Sequence, residues 1–243
     1  MAIKITPIGS CRIHNPLKKF ITKSQLELNT ADVYGFTHSS SEALQQLKYL
    51  QGEYVPSENI RPLLSPRLRF HKTTSNQVTA ESDLYFVEIS SAKIILVQDE
   101  YVQMNYIHVY FSEFFLDTHR AKEFWSLTSA SNKEELLHFL NKSPVYNAYP
   151  AEKKELLSQI TVKHMSEESL KQDMIELVKR VKQVVFVTHC NARLPDKTTI
   201  SSRENWIRSI ENIGKDIGAK VYNPTHLMMG IGQSLCLQKN GLD

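Results

Sequence analysis

The chain has 243 residues, 41% hydrophobic and 23% charged, with 29 basic against 26 acidic side chains. This balance fits an ordinary globular protein with a sizeable core, and a net charge of +3 is too small to argue for a nucleic-acid partner. Three widely spaced cysteines with no C-x-x-C pair argue against a disulfide framework or zinc ribbon and point to reduced thiols in a cytoplasmic protein, with no signal-like start and no apolar run long enough for a membrane span.

In chain order, AIKITPI (2–8) predicts a strand that breaks at Gly9-Ser10-Cys11. ADVYGF (31–36) predicts a second strand, and SSSEALQQLKYLQ (39–51) a helix with serine N-cap candidates and Leu44, Leu47 and Leu50 at helical spacing. DLYFVEIS (83–90) predicts a third strand. The pattern then changes over about 92–165, which reads as an insertion. KIILVQDEYVQMNYIHVYF predicts a hairpin turning near Gln98-Asp99, followed by helices in FFLDTHRAKEFWSL and NKEELLHFLNK. The aromatics of this region read as core or interface rather than as a cofactor site. Residues 166–183 and 201–218 carry apolar stripes of helical period, the second closed by Gly218. VVFVTHC (184–190) is the near-continuous apolar run of a strand buried on both faces, and AKVY (219–222) predicts the last strand. Such alternation predicts an α/β architecture of about five mostly parallel strands with helices on both faces, in a single domain over 1–243.

Parallel strands bring their C-terminal ends to one edge, where ligands bind in open α/β sheets. Here those ends carry Gly9-Ser10-Cys11-Arg12, Gly35 through His38, Ser90-Ser91, His189-Cys190-Asn191 and His226. Cys11 and Ser10 are candidate nucleophiles, a Cys11 thiolate being favoured by a helix N-terminus, by Arg12 or by a histidine. Backbone amides after Gly9, with Ser90 or Asn191, are candidates for an oxyanion hole, and His38, His189 and His226 for the base. No tight metal-ligand spacing, Walker A sequence or G-x-G-x-x-G is present. The alternating charges of Lys171–Lys182 read as a solvated helix face.

On the Gly9-Ser10-Cys11 break, the chain resembles the SGNH/GDSL hydrolase superfamily in its divergent Gly-Ser-Cys branch, that of GSCFA-domain and WcbI-type polysaccharide-biosynthesis proteins. The resemblance implies a flavodoxin-like three-layer sandwich and puts the nucleophile on Cys11. Gly35 matches the glycine of the second block. Where the third block has Gly-x-Asn-Asp this chain has Glu88-Ile89-Ser90-Ser91, so Ser90 or Ser91 stands in for the oxyanion asparagine, with Asn191 a rival. The final Asp-x-x-His falls on Asp243, with no histidine after it in these 243 residues. The base then lies in sequence beyond Asp243, or His226 or His189 replaces it. The implied activity is an acyl esterase or acyltransferase acting on an acylated carbohydrate or related small substrate. No cofactor is implied, though a transferase would draw on CoA or another acyl donor. The alternatives are a non-catalytic module binding a glycan or nucleotide, and an interaction protein whose aromatic insertion forms a homo-oligomer interface.

Overall fold

The structure, a computed structural model, describes residues 2–21, 26–65, 78–194 and 196–236. The first half of the main sheet is built from β1 (Ile3–Ile8), α1 (Cys11–Ile21), β2 (Leu26–Leu28), α2 (Ser40–Leu50), α3 (Arg61–Leu64) and β3 (Leu84–Ile89). A second unit follows: β4 (Lys93–Val97), β5 (Glu100–Tyr101), α4 (Met104–Tyr110), α5 (Ser112–Phe115), α6 (Thr118–Ser129), α7 (Lys133–Asn141), α8 (Pro144–Ala148), α9 (Ala151–Gln159) and β6 (Thr161–His164). The chain then returns through α10 (Glu167–Arg180), β7 (Val184–Thr188), α11 (Ser201–Asp216), β8 (Lys220–Tyr222), α12 (Pro224–Ile231) and α13 (Gln233–Cys236). Among the described residues no helix is long and apolar enough to cross a membrane.

The main sheet has the order β2-β1-β3-β7-β8, with every pair parallel. This is the flavodoxin-like arrangement expected from the sequence. From β1 the chain goes outward to β2 and then back past β1 to β3. Right-handed crossovers therefore put α1 and α2 on opposite faces and open a crevice at the C-terminal ends of β1 and β3. The central strands are the apolar ones. Ile8 pairs in register with Val87, and Val87 with Phe186, all three essentially inaccessible to water. Each such side chain contributes about 1.5–3 kcal/mol by leaving water. α10 packs between α2 and α11, and the hydroxyls of Ser40 and Ser41 fix α2 to it by donating to Asp173 at 2.8 and 2.7 Å.

Two expectations need correction. The second strand is not at 31–36 but at Leu26–Leu28, a short edge strand paired with Ile3–Ile5. Residues 31–36 bury Val33 and Tyr34 without joining the sheet. There Asp32 accepts from the Thr79 hydroxyl at 2.5 Å, and the chain presses so closely on α3 that a Cβ on Gly35 would lie 2.2 Å from the Leu64 carbonyl oxygen. In the second unit the hairpin does turn at Gln98-Asp99, both at positive φ (51° and 65°), as a two-residue turn requires. Its second arm stops at Tyr101, however, and residues 104–110 are helical because the Gln103 side chain caps the amides of Asn105 and Tyr106. The sheet is completed instead by β6, antiparallel to β4. Phe111, Phe114 and Phe124 lie in the core of this unit.

Candidate active site

The crevice is organised by a buried carboxylate. Glu88, near the end of β3, is 1% exposed. The Ser10 backbone N–H and hydroxyl both donate to its Oε2, at 2.7 and 2.6 Å, and the Arg12 guanidinium lies 2.9 Å from its Oε1. A buried carboxylate is tolerated only when so paired. Gly9 makes the approach possible: a Cβ there would lie 2.5 Å from Glu88 Cβ and 2.7 Å from Ile13 Cδ1. Ser10 also caps α1. Its carbonyl accepts the amides of Ile13 and His14 at 3.2 Å, and its hydroxyl oxygen accepts the Arg12 amide at 3.3 Å.

Arg12 carries this order across the sheet edge. Its Nε donates to the Ser10 hydroxyl oxygen at 3.2 Å, and its Nη2 lies 3.3 Å from Ser90 Oγ and 3.4 Å from His38 Nδ1. Its Nη1 meets His189 Nε2. The other His189 ring nitrogen, Nδ1, is 2.6 Å from the Cys190 carbonyl oxygen. That carbonyl fixes the proton on Nδ1 and leaves Nε2 as the acceptor facing Arg12. Burial first, then the Arg12 and Arg203 charges, push the His189 pKa down to about 4. His38 is also lowered, by burial first, with Glu88 opposing and Arg12 assisting. Both rings are therefore neutral near pH 7.

The loop that delivers His38 is locked from below. Glu42 accepts from the backbone N–H groups of His38 and Ser39, and the Ser39 hydroxyl accepts the Glu42 amide, a reciprocal cap on α2. Burial raises the Glu42 carboxyl to about 7, with the Glu88 charge adding to the effect. The His38 carbonyl accepts the amides of Ser90 and Ser91 at 2.8 and 2.9 Å, tying the loop to the end of β3. This is why Gly35 through His38 reach the edge although no strand runs through 31–36.

The remaining candidates divide. Cys11 begins α1 with an exposed side chain. The Ser10, Arg12, Ile13 and His14 amides are all engaged, while among the described residues the Cys11 amide has no hydrogen-bond partner. Asn191 is spent on its own loop: its side chain exchanges hydrogen bonds with the Ile200 backbone at 3.3 Å in both directions, and its amide donates to Thr225 Oγ1. The Ser91 hydroxyl accepts the Lys93 amide at 2.9 Å at the start of the second unit. His226 is exposed and lies 4.0 Å from Glu211. It lines a neighbouring cleft of about 310 Å³ with Asn191, Arg193, Arg208, Asn223 and Thr225. Asp243 lies outside the described residues. Among the described residues no group of three or more His, Cys, Asp or Glu side chains is placed to hold a metal ion.

Residues 3–243 match the family model described as the TviD N-terminal domain. The chain belongs to the TviD N-terminal domain family. It is 38% identical over 242 residues to the Vi polysaccharide biosynthesis protein TviD of Salmonella typhi. The match covers 98% of this chain but only 29% of that relative's length. No solved structure matches the chain. In this member of the family, the two buried carboxylates of the edge, Glu88 and Glu42, escape a reading of reactive side chains. Glu88 has one visible signal, a lone charge inside LYFVEI; Glu42 looks like an ordinary acidic residue in the first turn of a helix.

Proposed function

We propose that this chain carries an acyl-transfer site acting on a polysaccharide or its precursor, with Cys11 as the nucleophile. The observation that carries the reading is the position of Cys11: an exposed thiol in the first turn of α1, its amide without a hydrogen-bond partner among the described residues, at the crevice beside β3. That backbone N–H suits the oxyanion of a tetrahedral intermediate. The Cys11 thiol gives its proton to a neutral histidine, and its sulfur attacks the acyl carbonyl of an ester or thioester donor. The S–C bond forms, the donor's alcohol or thiol leaves with that proton, and a thioester remains on Cys11. An acceptor hydroxyl, from the sugar or from water, then gives its proton to a neutral histidine. It attacks the thioester, and the thiol is regenerated as that proton returns. His189 and His38 are the histidines of the Arg12 cluster. Polysaccharide biosynthesis in the name of the relative supports a saccharide acceptor.

The test is intact-mass spectrometry after incubation with p-nitrophenyl acetate and with acetyl-CoA. One acetyl group should appear on Cys11 and be absent from Cys11→Ala. Acetylation that survives Cys11→Ala overturns the assignment. One observation favours a non-catalytic glycan-binding reading instead: among the described residues, the hydrogen bonds of both histidine rings run to Arg12, Ser90 and Cys190 rather than to Cys11. A chain that binds polysaccharide but never acquires the acetyl group would support it.

A further inference from the structure

We propose that Glu88 is the positioning residue of this edge, anchoring the Arg12 guanidinium so that the fork holds His38, Ser90 and His189 in a single array. The inference rests on the acyl-transfer reading for what the array does, but not for the array itself.

Three observations carry it. First, Glu88 is the charged residue of an otherwise apolar and aromatic strand, in a position where leucine or valine would pack at no electrostatic cost. Second, the surroundings are built for it. Gly9 is left without a side chain where any Cβ would strike Glu88, and Ser10 spends both its amide and its hydroxyl on one carboxylate oxygen. Third, the other oxygen meets Arg12 Nη2, the nitrogen that also lies beside Ser90 Oγ and His38 Nδ1, while Nη1 meets His189 and Nε donates to the Ser10 hydroxyl oxygen. A guanidinium is planar and presents its donors in a fixed fork, so holding Nη2 on one Glu88 oxygen and Nε on the serine bonded to the other fixes where Nη1 points. Glu88 thus acts on His189 through Arg12, and on His38 both through Arg12 and from its own Oε1, 4.0 Å from His38 Nδ1, rather than by touching a substrate.

The carboxylate is also felt electrically at the rings, where Glu88 opposes the downward push of Arg12 on both. The other groups near the array are Arg203 of α11, which acts on His189; Glu42 of α2, which bonds the His38 backbone; and His14 and Lys18 of α1.

The experiment is an NMR pH titration of the histidine rings, with assignments from single His→Gln variants, paired with acetylation rates from p-nitrophenyl acetate. Glu88→Gln keeps an acceptor for Ser10 but removes the charge. The His38 and His189 midpoints should fall below their wild-type values, and the maximal acetylation rate should drop at least tenfold with little change in the concentration giving half-maximal rate. Glu88→Asp keeps the charge and should restore the midpoints in part. Arg12→Gln leaves Glu88 in place and should move both midpoints upward, which covers the case in which Glu88→Gln fails to fold. Histidine midpoints unchanged in folded Glu88→Gln or in Arg12→Gln overturn the proposal. Midpoints that move as stated in a chain that never acetylates Cys11 retain the array and reject acyl transfer instead.

Discussion

The Ser10 hydroxyl donates to Glu88 Oε2 at 2.6 Å, and the same serine's backbone N–H donates to the same oxygen at 2.7 Å. The hydrogen that a nucleophilic serine would give to a base is already committed to a buried carboxylate. Ser10 is therefore placed to hold the crevice together, and Cys11 beside it projects outward. Ser10→Ala should cost about 1.5–3 kcal/mol, the value of a hydrogen bond to a charged group. Urea denaturation measures that loss, and acetylation of Cys11 should persist at a reduced rate. Complete loss of acetylation in a folded Ser10→Ala variant would return the nucleophile to Ser10.

Gly9→Ala tests the close approach of β1 and β3. The new methyl would lie 2.5 Å from Glu88 Cβ and 2.7 Å from Ile13 Cδ1, so a strand, a helix or the carboxylate must shift. Overpacking of this kind costs about 1–3 kcal/mol. A drop in Tm checks it, and Glu88→Ala in the Gly9→Ala background should not restore it, because alanine keeps the Cβ that is struck and Ile13 stays in place.

Stability should fall on mild acidification. His14 and His189 are pushed from 6.5 down to about 4, burial being the leading cause in each, and His38 is lowered as well. The unfolded chain therefore takes up protons from about pH 6.5 downward that the folded chain refuses, and stability is lost as the pH falls toward 4. Glu42 works in the opposite sense. Raised from 4.5 to about 7, it binds a proton in the folded chain that the unfolded chain gives up, a contribution lost as pH rises through that window. The histidines outnumber it, so the net slope runs toward lower stability in acid. Glu42→Gln keeps an acceptor for the cap and removes the opposing group, so its stability should fall more steeply between pH 6.5 and 4.5. Urea midpoints across this range decide, and a wild-type maximum near pH 4.5 would contradict the balance.

Asn191→Ala should loosen the loop it clamps. Its side-chain bonds to Ile200 close the 191–200 connection. Hydrogen exchange at residues 192–194 and 196–200 should accelerate while exchange in β3 stays unchanged. His226→Ala should leave acetylation of Cys11 near the wild-type rate, since His226 lies toward Glu211 and the neighbouring cleft.

The sheet was legible where burial was strong. VVFVTHC and DLYFVEIS are apolar because β7 and β3 are the central strands. β2 was not legible, because an edge strand of only three residues carries no period, while ADVYGF mimics a strand by burying Val33 and Tyr34 in irregular backbone. In the second unit, Gln98-Asp99 announced its turn, but the helix at 104–110 is set by a Gln103 cap that is uncommon in type. At the edge, the reactive residues could be named from their place after each strand. Their hierarchy could not, because it depends on Glu88, whose partners Ser10, Arg12 and His38 stand 78, 76 and 50 positions away in the chain and meet it only once the fold has formed.

The Arg12 fork spans separations of 26, 78 and 177 residues to His38, Ser90 and His189. It therefore cannot be completed until β7 has been made and has joined the sheet. Until then its outermost nitrogen has no imidazole to meet. Competence of the crevice thus reports on closure of the whole parallel sheet, and a product ending before Val184 would contain Cys11, Arg12 and Glu88 yet lack the array that joins them.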